Sequence, residues 1–149
     1  MTNRREILLL GCGLVAVGAG GAALATPSAM QDAIRKVTGG AQAHRGKVRL
    51  EVPPLIENGN SVVLAVSVDS PMTAAEHVKA IHVFAPENPL PNMVSVYLGP
   101  RSGRARFTTR VRVAASQTLH AVAQLSDGGF WSDSVDVVVT LAACTEEVK

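Results

Sequence analysis

The stretch Gly103-Arg104-Ala105-Arg106-Phe107-Thr108-Thr109-Arg110-Val111-Arg112-Val113 decides how this chain folds. Ala105, Phe107, Thr109, Val111 and Val113 fall on one side of an extended backbone, and Arg104, Arg106, Thr108, Arg110 and Arg112 on the other. Successive side chains of a strand point to opposite faces, so this pattern predicts a strand with one packed and one solvated face.

Outward from it, the same grammar recurs. Downstream, Thr118 to Leu125 reads as a strand, Asp127-Gly128-Gly129 as a turn, and Phe130 or Trp131 through Leu141 as the last strand. Upstream lie Met93 to Leu98, closed by Gly99-Pro100, then His77 to Ala85, then the valine-rich run Ser61 to Asp69, preceded by the turn signal Asn58-Gly59-Asn60. Val48 to Val52 alternates and stops at Pro53-Pro54. About seven short strands at roughly 8–14-residue spacing, with turn residues between, predict an all-β, immunoglobulin-like β-sandwich. One short N-terminal helix precedes it over residues 28–38. Ser28 can cap it, Met30, Ile34 and Val37 share a face, and Gly39-Gly40 ends it. No GxGxxG, P-loop or helix–strand alternation argues for an α/β enzyme.

Residues 1–25 read as an export signal. Arg4-Arg5 precedes an apolar stretch from Ile7 to Leu24, and Ala23-Leu24-Ala25 has the small-x-small form of a cleavage site. The paired arginines favour the twin-arginine route; a Sec signal that happens to carry two arginines is the rival. The glycines and alanines make the segment weakly hydrophobic for a membrane anchor. Leu9-Leu10-Gly11-Cys12 resembles a lipoprotein box, but leaves too short an apolar region before it. The expected organisation is thus 1–25 signal, 26–46 helix and linker, 47–141 sandwich and 142–149 a C-terminal arm, in a protein exported to the periplasm with no membrane attachment after cleavage.

The chain has 149 residues and a formal net charge of +2, which loss of Arg4, Arg5 and Glu6 takes to about +1. That balance gives no case for a nucleic-acid partner. The two cysteines are Cys12 and Cys144. With Cys12 removed in the signal, Cys144 has no intramolecular partner, and in an oxidising compartment it must be buried, paired with another chain or chemically employed. Past the last strand it should be accessible. An ordinary thiol is only about 3% thiolate at pH 7, and Glu146 and Glu147 disfavour the thiolate further, so activation would come from a partner. A carrier fits that better than an enzyme. The histidines His44, His77, His82 and His120 form no HxH or HxxxH pair, which argues against a metal site; no cofactor is expected, and no GxSxG elbow is present. The arginine face reads either as a solvated strand face or as a docking face for an acidic partner or an oxyanion.

Several stretches, in order, resemble SoxY proteins: Glu57-Asn58-Gly59-Asn60, Val68-Asp69-Ser70-Pro71-Met72, Val78-Lys79-Ala80-Ile81-His82-Val83-Phe84-Ala85 with Asn88-Pro89 and Pro91, Ser102-Gly103-Arg104-Ala105, and Ser126-Asp127-Gly128-Gly129-Phe130-Trp131. The resemblance implies a periplasmic immunoglobulin-like domain that pairs with a SoxZ subunit. It implies a non-catalytic carrier of thiosulfate- or sulfide-derived sulfur, bound covalently to a terminal cysteine. It also implies transient docking to a haem-bearing loading enzyme, a hydrolase and a sulfur dehydrogenase. By position Cys144 matches the carrier cysteine. The family arm is Gly-Gly-Cys-Gly-Gly; here it reads Ala142-Ala143-Cys144-Thr145-Glu146-Glu147-Val148-Lys149. A non-catalytic adaptor whose carrier arm has diverged is the alternative reading.

Overall fold

The computed structural model describes residues 27–142. The segment read as an export signal, and residues 143–149 with Cys144, lie outside the described residues.

Helix α1 (Pro27–Thr38) begins with proline, whose missing N–H and fixed φ suit the first helical turn, and carries Arg35 and Lys36 in its last turn, where cations complement the helix dipole. It stops at Gly39, whose φ of 64° is the left-handed conformation that glycine adopts without strain. Met30, Ala33, Ile34 and Val37 pack as a stripe onto Phe84, Val122 and Phe130. A lone short helix is marginal in water, so this packing rather than intrinsic propensity holds it.

Nine strands follow: β1 (Ala43–Arg45), β2 (Val48–Glu51), β3 (Leu55–Ile56), β4 (Val62–Val68), β5 (Val78–Phe84), β6 (Asn92–Tyr97), β7 (Arg106–Val111), β8 (Gln117–Leu125) and β9 (Phe130–Val139). They form two sheets. One runs β1-β9-β8-β5-β6, with β3 also paired to β9; the other runs β2-β4-β7. Between them lies the core, built around Leu64, Val66, Ile81, Val83, Val113, Leu119 and Leu125. In β4 the alternation is strict: Val62, Leu64, Val66 and Val68 are buried, and Val63, Ala65 and Ser67 face out. Strand β5 is buried on both faces, because α1 covers the side opposite the core. The sandwich with one short helix is therefore as the sequence predicts.

Each of the seven expected strands has a counterpart, and β1 and β3 are additional. Both pair parallel to β9: Ala43 with Phe130 through Arg45 with Ser132, and Leu55 with Val138, Ile56 with Val139. They are too short to show a period, and they exist because β9 offers them a ladder edge. In return they cover the outer edge of a ten-residue strand, which bare would template pairing with another chain. The stretch read as a linker thus holds a strand. A further tie joins the two sheets, where the Leu50 N–H donates to Asp133 Oδ2 at 2.9 Å.

Strand β7 is shorter than the 103–113 pattern. A 3-10 turn at Pro100–Ser102 leads into Gly103, whose φ of 78° keeps it out of the ladder. Exposure nonetheless alternates as expected: Arg104, Arg106, Thr108, Arg110 and Arg112 are exposed, and the residues between them are not.

Candidate functional site at the root of the C-terminal arm

The chain can be followed to the last described residues before the expected arm. Pro53 and Pro54 lack an N–H and end the β2 ladder. The chain then turns along β9, where the Val138 N–H donates to the Pro54 carbonyl at 2.9 Å and the Thr140 N–H to the Ile56 carbonyl at 2.9 Å. The Thr140 hydroxyl donates to the Glu57 carbonyl at 3.1 Å. Gly59, buried in the Asn58-Gly59-Asn60 turn, donates its N–H to the Leu141 carbonyl and accepts from the Val113 N–H, both at 2.8 Å. Asn58 holds the turn, its side-chain oxygen accepting from the Asn60 N–H at 3.0 Å. Ile56, 4% exposed, pins this clamp to the core. Backbone is therefore fixed through Leu141, three residues before Cys144. Three residues of chain span at most about 11 Å, which bounds the distance of Cys144 from the clamp whatever its conformation.

Pro54 and Gly59 were read from sequence only as part of a strand stop and a turn, and Glu57 only within a family-like stretch; Ile56 and Thr140 were not singled out, and the bonding of all five to one another was not foreseen. Pro-Pro followed by Leu-Ile and Asn-Gly-Asn was the available signal. Cys144, the one residue assigned a chemical role from sequence, lies outside the described residues.

The arginine face is real and has neighbours that the sequence did not reveal. Register places Val63 beside Arg110, Ala65 beside Thr108 and Ser67 beside Arg106 on the outer face of the three-stranded sheet. Glu51 lies 3.1 Å from Arg49 and 3.6 Å from Arg106, so part of this charge is internally compensated. Arg110 donates to the Ser61 hydroxyl at 3.1 Å, and among the described residues no carboxylate pairs with Arg104, Arg110 or Arg112.

The histidines are dispersed, and among the described residues no group of three or more His, Cys, Asp or Glu side chains converges to hold a metal. His44 tilts against Trp131 with ring centres 5.7 Å apart, and Lys47 lies 5.2 Å over the same indole. His77 Nδ1 lies 3.1 Å from the Thr73 carbonyl. His82 is buried, Nδ1 2.7 Å from Ser95 Oγ and its ring against Phe84 and Tyr97, and burial lowers its pKa. His120 is lowered by burial first and by Arg45 second, with Asp136 opposing. Arg45, in turn, donates to the Ser134 hydroxyl at 2.7 Å.

These features define a class: an immunoglobulin-like sandwich that clamps the end of its final strand through Leu141, three residues before Cys144 in the sequence. The family model for the sulfur oxidation protein SoxY matches residues 34–144, and the chain belongs to that family. It is accordingly a sulfur-oxidation carrier protein in the general sense, of a family that is carrier rather than catalyst, generally periplasmic, and partnered within the Sox system by SoxZ. No curated protein sequence matches it.

Solved structures share the fold. A superoxide reductase (neelaredoxin) from Ignicoccus hospitalis superposes with a TM-score of 0.56 at 21% identity, covering 63% of this chain and 80% of that one. A putative superoxide reductase from Thermotoga maritima gives 0.54 at 22% identity, covering 66% and 87%. The superoxide reductase from Nanoarchaeum equitans gives 0.53 at 11% identity, covering 64% and 100%. At these identities the likeness is one of fold alone. No described helix is long and apolar enough to cross a membrane.

Proposed function

We propose that this chain is a periplasmic sulfur carrier that binds thiosulfate- or sulfide-derived sulfur covalently on Cys144 and presents it to Sox enzymes. The observation that carries the reading is the clamp. The hydrogen bonds of Thr140 and Leu141 fix the backbone three residues before that cysteine, and the family match ends on it. A carrier needs a rigid body, a defined pivot and a short tether, which raises the effective concentration of the cargo at a docked enzyme.

The chemistry balances as a division of labour. Loading joins the Cys144 sulfur to the outer sulfur of thiosulfate. The thiol proton is released, and two electrons leave to the haem-bearing loading enzyme. Hydrolysis then breaks the sulfur–sulfonate bond with one water, releasing sulfate and a proton and leaving a persulfide on the cysteine. No step asks this chain for an acid, a base or a metal, which agrees with the dispersal of the histidines among the described residues.

The partner proposed is a SoxZ-like chain in a stable heterodimer, with the loading, hydrolase and dehydrogenase enzymes docking transiently. The test is intact-mass spectrometry of protein purified without reductant after growth on thiosulfate. A sulfur adduct mapping to Cys144 supports the carrier. A disulfide-linked pair of chains with no adduct overturns it in favour of the adaptor reading, which Ala142-Ala143 and Thr145-Glu146 in place of the glycines motivate.

A further inference from the structure

The edge strands of a sheet carry unpaired backbone donors and acceptors, and proteins guard them with brevity, charge, proline or a covering segment. Most edges here are guarded. β1 and β3 are three and two residues long, β2 carries Arg49 and Glu51, and β7 carries Arg106 and Arg110. The edge strand β6 is different. It reads Asn92-Met93-Val94-Ser95-Val96-Tyr97, six residues without a charge, and among the described residues it pairs with β5 alone. Its one irregularity, opposite Val83 and Phe84, sits at the Asn92 end, and Val94 through Tyr97 run in unbroken register with Val83 through Ala80.

The phase of the ladder decides which backbone groups are free. The Leu98 N–H donates to the Lys79 carbonyl at 2.9 Å. Antiparallel pairs alternate between bonded and non-bonded, so Val96 and Val94 also turn their backbone groups to β5, and the N–H and C=O of Ser95 and Tyr97 point outward. Tyr97 is 77% exposed, so that end of the edge stands open.

Beside the edge lies a groove of about 430 Å³, where β6 of one sheet faces β7 of the other. Half-buried Met93, Val94 and Val111 line it, and exposed Leu90, Arg110 and Arg112 complete its wall. No carboxylate lines it, and among the described residues none pairs with Arg110 or Arg112. A strand laid against β6 directs alternate side chains into this groove, where they meet apolar surface along β6 and positive charge toward β7.

We propose that the β6 edge is a docking site for an extended segment of another protein, apolar at alternate positions and bearing carboxylates that meet Arg110 and Arg112, which adds to the sheet as a further strand. Backbone bonds to Ser95 and Tyr97 supply affinity, and the groove supplies selectivity. The docking does not depend on Cys144 carrying sulfur.

The experiment presents random dodecapeptides, displayed on phage, to the processed protein and measures binding of the enriched sequences as free peptides by fluorescence anisotropy. Expected are peptides that alternate apolar residues, carry Asp or Glu, and shift the Ser95 and Tyr97 amide signals on binding. Tyr97→Pro removes an outward N–H without touching the ladder to β5, so it should weaken binding about tenfold or more, whereas Tyr97→Thr, which keeps that N–H, should change it less than about threefold. Arg110→Glu with Arg112→Glu should weaken it roughly three- to tenfold, and replacing the peptide's acids by Lys should restore binding to that variant. Retained exchange protection of the Ile81 and Val83 amides, which face β6, verifies that the sheet is intact; if Tyr97→Pro loses it, the charge exchange decides alone. Failure to enrich any peptide, binding indifferent to Tyr97→Pro or to the arginine reversal, or a preference for basic peptides overturns the proposal. So does concentration-dependent pairing of the chain with itself that Tyr97→Pro abolishes, which gives the edge to a second copy. The mass-spectrometric test of the carrier reads a different property, so either reading can fail alone.

Discussion

Ile56→Ala tests the clamp. Ile56 is 4% exposed and belongs to the main core cluster, while its strand is only two residues long. The substitution removes three buried carbons, about 2.4 kcal/mol at roughly 0.8 kcal/mol each. A partly relaxed cavity adds to this, but the site lies at a sheet edge and can collapse, so the total should be about 3 kcal/mol. Urea unfolding should show a lowered midpoint with an unchanged slope. Hydrogen exchange locates the effect: the Val138 and Thr140 amides, which donate to Pro54 and Ile56, should lose protection at least in proportion to global stability. The core amides of β5 should track the global value. A loss below about 1 kcal/mol would refute the reasoning, because Ile56 would then not be packed as described and the arm would have no fixed pivot.

Other outcomes follow from the same structure. Burial lowers the pKa of His82 and His120, so the unfolded chain binds more protons than the folded one below the unperturbed value of 6.5. Stability should therefore be complete above that pH and fall as pH drops through the lowered folded values, and His82→Gln should flatten the decline in pH-dependent urea midpoints. Asp133→Ala strips the Leu50 N–H of its acceptor and should cost about 1–3 kcal/mol by thermal or urea unfolding, whereas Asp133→Asn, which keeps an oxygen, should cost less. Cys144→Ser should leave the melting temperature unchanged and abolish any sulfur adduct in the intact mass; a retained adduct would remove Cys144 from its proposed role. N-terminal sequencing of the processed protein should begin at Thr26, and retained Met1 or an acylated Cys12 would refute the signal reading.

Much of the sandwich was legible because its strands each carry their own signal. The arginine alternation fixed β7, and the stripe of Met30, Ile34 and Val37 fixed α1. β1 and β3 were not legible, since Ala43–Arg45 and Leu55–Ile56 become strands only through the parallel edge of β9, a long-range circumstance that no local pattern records. The outward Val63 was hidden in a run rich in valine, where alternation of burial leaves no mark on residue type. As for the candidate site, Cys144 stands out in the sequence because Cys12 falls in the segment read as a signal, and it lies outside the described residues. The clamp at Thr140 and Leu141 was not legible, because its bonds run from backbone groups that any residue supplies.

The two short strands laid on β9 also bear on when this protein becomes itself. β1 and β3 come early in the chain, and both wait on residues 130–139 for every ladder bond they make. A nascent chain lacking β9 leaves both without their partner, leaves β8 with an open side and gives the arm nowhere to be anchored. Long-range pairing of this kind is slow to close and exposes apolar surface while it is pending. Closure of this edge of the sandwich therefore depends on β9, so a chain truncated before it leaves β1 and β3 without the ladder they need.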